Sequence, residues 1–178
     1  MTGVAGLAGD PAYPPKEVQL PPVRLGKLGR KLASGFNELG WHWWPSDSAI
    51  ATVEYEGRAP CINAGTCLVG CPQGAKGSAD VTYWPVALRA GVELRTRCRV
   101  REITPRFPDG RANRSGLVGR NLMLHPYAAT IGIFDEPLQG YKGPVGCGVW
   151  SQEFYETDPA RGFVRGFTYE MNRSFHPM

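Results

Sequence analysis

The sequence predicts an α+β fold built from short elements, and three observations carry that prediction. An apolar period of about 3.6 runs over residues 25–39. A period-two alternation runs over residues 92–103. Glycine and proline, 23 and 16 of 178 residues, interrupt most of what lies between. With 42% hydrophobic residues the chain can bury one real core but little more. Five Trp, seven Tyr and seven Phe argue against disorder, because they are large apolar groups in need of burial.

Residues 1–23 are rich in Gly and Pro and read as extended coil, ordered only if they pack on something. Residues 25–39 form the best helix candidate: Leu25, Leu28, Leu32, Phe36 and Leu39 fall near one face. Gly26, Gly29 and Gly35 weaken that helix by about 1 kcal/mol each relative to Ala, so packing must support it. Gly40 is its expected stop. The aromatic cluster Trp41-His42-Trp43-Trp44-Pro45 follows, then a loop over residues 46–79. A short helix is expected over residues 80–90, with Asp80 near its start and Gly91 beyond its end; Pro85 fits only if the regular part begins at that residue.

Residues 92–103 alternate as a half-buried strand: Leu94, Thr96, Cys98 and Val100 on one side, Arg95, Arg97, Arg99 and Arg101 on the other. The arginines read as a solvated strand face. Residues 127–134 and 163–171 also read as strands. The chain stops at Pro177-Met178 directly after a strand pattern, as a truncated chain would.

The net charge of +4 is too mild and too dispersed to indicate a nucleic-acid partner. No apolar run approaches the ~20 residues that span a bilayer. The N-terminus carries no secretory pattern, so a cytoplasmic location is expected. Five cysteines, an odd number, do not suggest a disulfide scaffold.

The most chemical segment is Cys61-Ile-Asn-Ala-Gly-Thr-Cys67-Leu-Val-Gly-Cys71-Pro. Three thiols in a small-residue loop can wrap one soft metal centre, and the Cys-Pro ending resembles ferredoxin ligand runs. Position 64, where a fourth cysteine would strengthen the pattern, is Ala64. An iron–sulfur cluster and three thiols packed as small hydrophobes both remain open at this point.

Three ordered stretches resemble the bacterial branch of the glucose–methanol–choline (GMC) oxidoreductases. They are CINAGTCLVGCPQGAKGS (61–78), VTYWPVALRAGVELRTRCRVREI (81–103) and SGLVGRNLMLHP (115–126), and the segment over 134–166 is similar as well. The resemblance implies FAD, a small-molecule alcohol, polyol or sugar carrying a CH–OH group, and hydride transfer to the flavin. It implies an adenine contact at Val100. It also implies a three-iron (3Fe-4S) cluster on Cys61, Cys67 and Cys71, the spacing found in membrane-associated sugar dehydrogenases of the family.

On this reading residues 1–104 are a remnant of the FAD-domain region with the cysteine loop. Residues 105–178 begin the substrate-binding domain with antiparallel strands. The Gly-x-Gly-x-x-Gly phosphate loop of the family is absent. A central stretch is expected to be missing near residues 104–106, and the catalytic histidine region would lie beyond Met178. No catalytic residue is therefore assigned: His42 reads as an aromatic neighbour, His125 as a turn residue and His176 as solvated. The resulting expectation is a truncated flavin oxidoreductase, inactive alone and prone to associate through unpaired strand edges. The alternatives are an iron–sulfur electron relay and an interaction remnant that exposes Trp41–Trp44.

Overall fold

A computed structural model describes residues 2–18, 20–99, 117, 120–144, 148–162 and 164–171. Its few helices and small antiparallel sheet are compatible with an α+β class. The first helix, α1, spans Gly26–Glu38, within a residue of the expected bounds at either end. It buries Gly29 and Ala33 rather than the expected leucines: Leu25, Leu28 and Leu32 lie half-buried, and Leu39, just past its end, is exposed. Small residues on the inner face let the helix backbone approach its neighbours closely, and this offsets their poor intrinsic propensity.

Gly40 ends α1 as expected, with φ 66°. Its N–H bonds the Asn37 carbonyl at 3.1 Å, and the Trp41 N–H bonds the Phe36 carbonyl at 2.9 Å. These two bonds make a Schellman motif, which only a residue at ease in the left-handed region can close without strain.

The chain then enters β1 (Trp44–Pro45). The second helix, α2, spans Tyr83–Arg89. Pro85 is its third residue, inside the first turn, where a missing N–H costs nothing. Two further strands, β2 (Val149–Ser151) and β3 (Tyr169–Glu170), complete an antiparallel sheet of order β1-β2-β3. Trp44 pairs with Trp150 and Pro45 with Val149; Ser151 pairs with Tyr169. Ser46 reinforces the first pairing, since its N–H bonds the Gly148 carbonyl and its Oγ accepts the Gly148 N–H at 2.8 Å. The sheet thus joins residues from both sides of position 104.

Residues before α1 are pinned. Ala5 bridges both Leu20 and Ser48, and Ala5, Leu20 and Val23 form a buried cluster against Tyr55. Arg58 bonds the Thr2 carbonyl and lies over the Tyr55 ring.

Three strand expectations are corrected. Residues 92–99 are exposed and in no strand; Arg97 has φ 58°, which interrupts an extended run. The rest of that stretch, from Val100 to Ile103, lies outside the described residues. Residues 127–133 are exposed and unpaired into any strand, with Ile133 97% accessible. The expected strand over 163–171 shrinks to the two residues of β3. Alternation in sequence tells which face a strand would bury, but a strand exists only where a neighbour completes its ladder.

Candidate functional site

The cysteine loop is held at both ends and across its middle. The Cys61 N–H bonds the Ala51 carbonyl at 2.8 Å, and the Gly143 N–H bonds the Asn63 carbonyl at 3.1 Å. Lys76 donates from Nζ to the Cys67 carbonyl at 2.8 Å. Gly65, with φ 76°, sits against the Tyr141 carbonyl, where any Cβ would collide. Between these ties Ile62, Leu68 and Val69 face solvent.

Cys61, Cys67 and Cys71 line one cavity of about 20 Å³, together with Ile62, Ala64 and Gly65 among others. All three are half-buried and none is in a disulfide. Their surroundings differ. Burial pushes the Cys61 thiol up; the Asn63 N–H opposes this, and the neighbouring Cys67 and Cys71 add to it. Around Cys71 burial also pushes upward, but the backbone N–H groups of Lys76, Gln73, Ala75 and Gly74 together outweigh it and the thiol is lowered. The sulfur of Cys61 is engaged by Asn63, whose N–H reaches it at 3.4 Å.

The geometry lends the iron–sulfur reading no support. Among the described residues no group of three or more His, Cys, Asp or Glu is placed to hold a metal ion. Of the other cysteines, Cys98 is exposed and Cys147 lies outside the described residues. Val100, the expected adenine contact, also lies outside them. Two cavities among the described residues, one beside Leu25–Leu28 and one at the cysteine loop, hold about 70 and about 20 Å³, each too small for FAD. Pockets for ligands of that class run to about 300–1,000 Å³.

His42 is the aromatic neighbour that the sequence suggests, stacked on Trp44 with centroids 6.4 Å apart. Sequence reasoning missed its partner. Nε2 of His42 lies 2.8 Å from Oδ1 of Asp10, a carboxylate only 1% exposed that also accepts the Ala12 N–H. The two residues are 32 apart, and no local signal links them. The Trp41–Trp44 cluster is not a bare patch: Trp41 packs edge-on against Phe154 at 4.8 Å and stacks on Tyr169 at 5.8 Å. His125 lies exposed beside Tyr127, and His176 lies outside the described residues. Arg95, Arg97 and Arg99 stand in solvent, with Arg95 paired to Glu93 at 2.7 Å, and Arg101 lies outside the described residues. Among the described residues no helix is long and apolar enough to cross a membrane.

No protein-family model matches the chain. Among curated proteins it is 38% identical to a 2-methyl-1,2-propanediol dehydrogenase of Mycolicibacterium austroafricanum, over 97% of this chain and 40% of that protein. It is 27% identical to an uncharacterised GMC-type oxidoreductase of Mycobacterium tuberculosis, over 75% of this chain and 26% of that one. A GMC-type oxidoreductase of Sinorhizobium fredii matches at 27% over 69% of this chain and 30% of its own length. The class that these matches define is the oxidoreductases. Within it, the chain belongs to the GMC family, as the three ordered motifs suggest, and spans well under half the length of the relatives it matches.

The dehydrogenase match runs over 221 aligned positions, 43 more than the 178 residues of the chain. Gaps must therefore open in this chain, and the dehydrogenase carries residues there that this chain lacks.

Proposed function

We propose that this chain is part of an FAD-dependent oxidoreductase that oxidises the CH–OH group of a small alcohol, polyol or sugar. The single observation that carries the reading is its 38% identity, over 97% of its length, to a protein named for dehydrogenation of a diol. Bound flavin would supply the hydride acceptor for such a reaction. The contribution of the described residues is scaffolding. Helix α1, the Trp41 cluster and the β1–β2–β3 sheet lock residues before position 60 to residues after position 148. Residues 1–104 would then be FAD-domain sequence and residues 105–178 substrate-domain sequence.

The same reading makes the isolated chain catalytically inert. Its alignment to the dehydrogenase requires gaps of at least 43 positions, and neither of the two cavities among its described residues could hold a dinucleotide. The purified chain, mixed with FAD, should leave the flavin spectrum unchanged and should not reduce a dye acceptor when 2-methyl-1,2-propanediol is added. Shifted flavin bands that bleach on adding the diol would refute the claim of inertness.

A further inference from the structure

We propose that residues 122–134 form a docking strand for a second copy of this chain, the same segment of each copy pairing antiparallel about Ala128. The segment is apolar and bare: Leu122, Met123, Leu124, Tyr127, Ile131 and Ile133 are each at least 80% exposed. Among the described residues no backbone hydrogen bond ties it to a neighbour and it joins no strand. Its local geometry is nevertheless strand-like, as two contacts between residues i and i+2 show. Nδ1 of His125 lies 3.3 Å from the Tyr127 hydroxyl, with ring centroids 5.9 Å apart. The Phe134 ring covers Gly132, 3.1 Å from where a Cβ would stand. Side chains two apart share a face in a strand and not in a helix.

The charges select a second copy as the occupant. Residues 121–134 contain no Lys, Arg, Asp or Glu, whereas Arg120 stands at one end and Asp135 and Glu136 at the other, all three exposed. Antiparallel pairing with itself sets each end beside its opposite charge, and parallel pairing would set like beside like. Symmetry about Ala128 puts Arg120 opposite Glu136 twice, once at each end. Glu136 already has Lys31 at 3.5 Å, but both side chains are more than half exposed and leave the carboxylate open. The same register faces Leu122 with Phe134 and Met123 with Ile133, and gives Leu124 the space over Gly132.

Pro126 fits this register and limits it. In an antiparallel pair every second residue turns its N–H and C=O toward the partner. Here the odd-numbered residues do so, and none of them from 123 to 133 is proline. Pro126 is even-numbered, so its missing N–H falls on the outer edge. There it breaks the row of donors that a third strand would need, and the assembly closes at two.

The test is light scattering on the size-separated full chain, from micromolar to near-millimolar concentration. A monomer–dimer equilibrium is expected. Ala129→Pro removes a ladder N–H and should leave only monomer, whereas Ala128→Pro removes an outward N–H and should keep the dimer. Both positions are exposed and lie in no helix or strand, so neither variant disturbs the core. Register is read separately. Facing residues at a non-hydrogen-bonded pair stand about 4.5 Å apart at Cα, within reach of a disulfide. Ala128→Cys should therefore give a dimer crosslinked between the two copies of position 128 on oxidation, identified by peptide mass. Monomer at every concentration overturns the proposal, since the segment then awaits a different polypeptide or none. A dimer that both prolines spare overturns it by placing the contact elsewhere. Growth past the dimer overturns it as unspecific apolar association. No readout involves flavin, so this proposal and the flavin reading stand or fall separately.

Discussion

Trp41 gives its backbone N–H to the Phe36 carbonyl at 2.9 Å and lays its indole against the Phe36 ring, centroids 6.2 Å apart. One residue thus closes the helix end and begins the aromatic cluster that fastens α1 to the sheet. The turn between them depends on Gly40 and its positive φ.

Gly40→Ala should lower stability by about 1 kcal/mol, because a Cβ is disfavoured in the left-handed region. Nothing lies near enough to clash with that Cβ, so backbone strain alone sets the cost. The urea midpoint of the purified chain measures it.

Trp41→Ala should cost about 3 kcal/mol, the low end for truncating a packed aromatic, since Trp41 touches Phe36, Phe154 and Tyr169 but is only half-buried. For a chain with so small a core this is a large share of total stability. Near-ultraviolet circular dichroism should lose most of its amplitude at room temperature.

Asp10→Ala should cost about 1–3 kcal/mol. It removes the acceptor for the Ala12 N–H and strands the Nε2 of a half-buried His42, whose Nδ1 already has no partner among the described residues. Thermal melting compared with Asp10→Asn separates loss of the acceptor from loss of the charge.

Alkylation of the reduced chain should select Cys71 over Cys61 near neutral pH. Four backbone N–H groups lower the Cys71 thiol below its ordinary value, while burial raises Cys61 above it. The thiolate is the reactive form, so Cys71 turns on at lower pH. The preference should shrink as pH rises and Cys61 ionises in turn. Quench-labelling at several pH values, read by peptide mass, checks the order.

Local signals were the legible part of this molecule. The apolar period placed α1, the glycine at position 40 placed its end, and Asp80 and Gly91 bracketed α2. What escaped is non-local. Nothing near Asp10 announces His42, and nothing near Trp44 announces Trp150 as its strand partner. Residues 92–99 failed for the opposite reason: their alternation is real, but without a neighbouring ladder it builds no strand. The cysteine spacing marked three residues that line one cavity. It could not reveal that their surroundings shift Cys61 and Cys71 in opposite directions.

The most direct test of the family function is a chimera, in which residues 26–99 of this chain replace the matching stretch of the 2-methyl-1,2-propanediol dehydrogenase. The measurement is its absorption spectrum before and after adding the diol. The account predicts a flavin-loaded chimera whose flavin absorbance bleaches with substrate. A folded chimera that carries no flavin, or one whose flavin ignores the diol, would contradict the claim that these residues are scaffold for an alcohol-oxidising flavoenzyme.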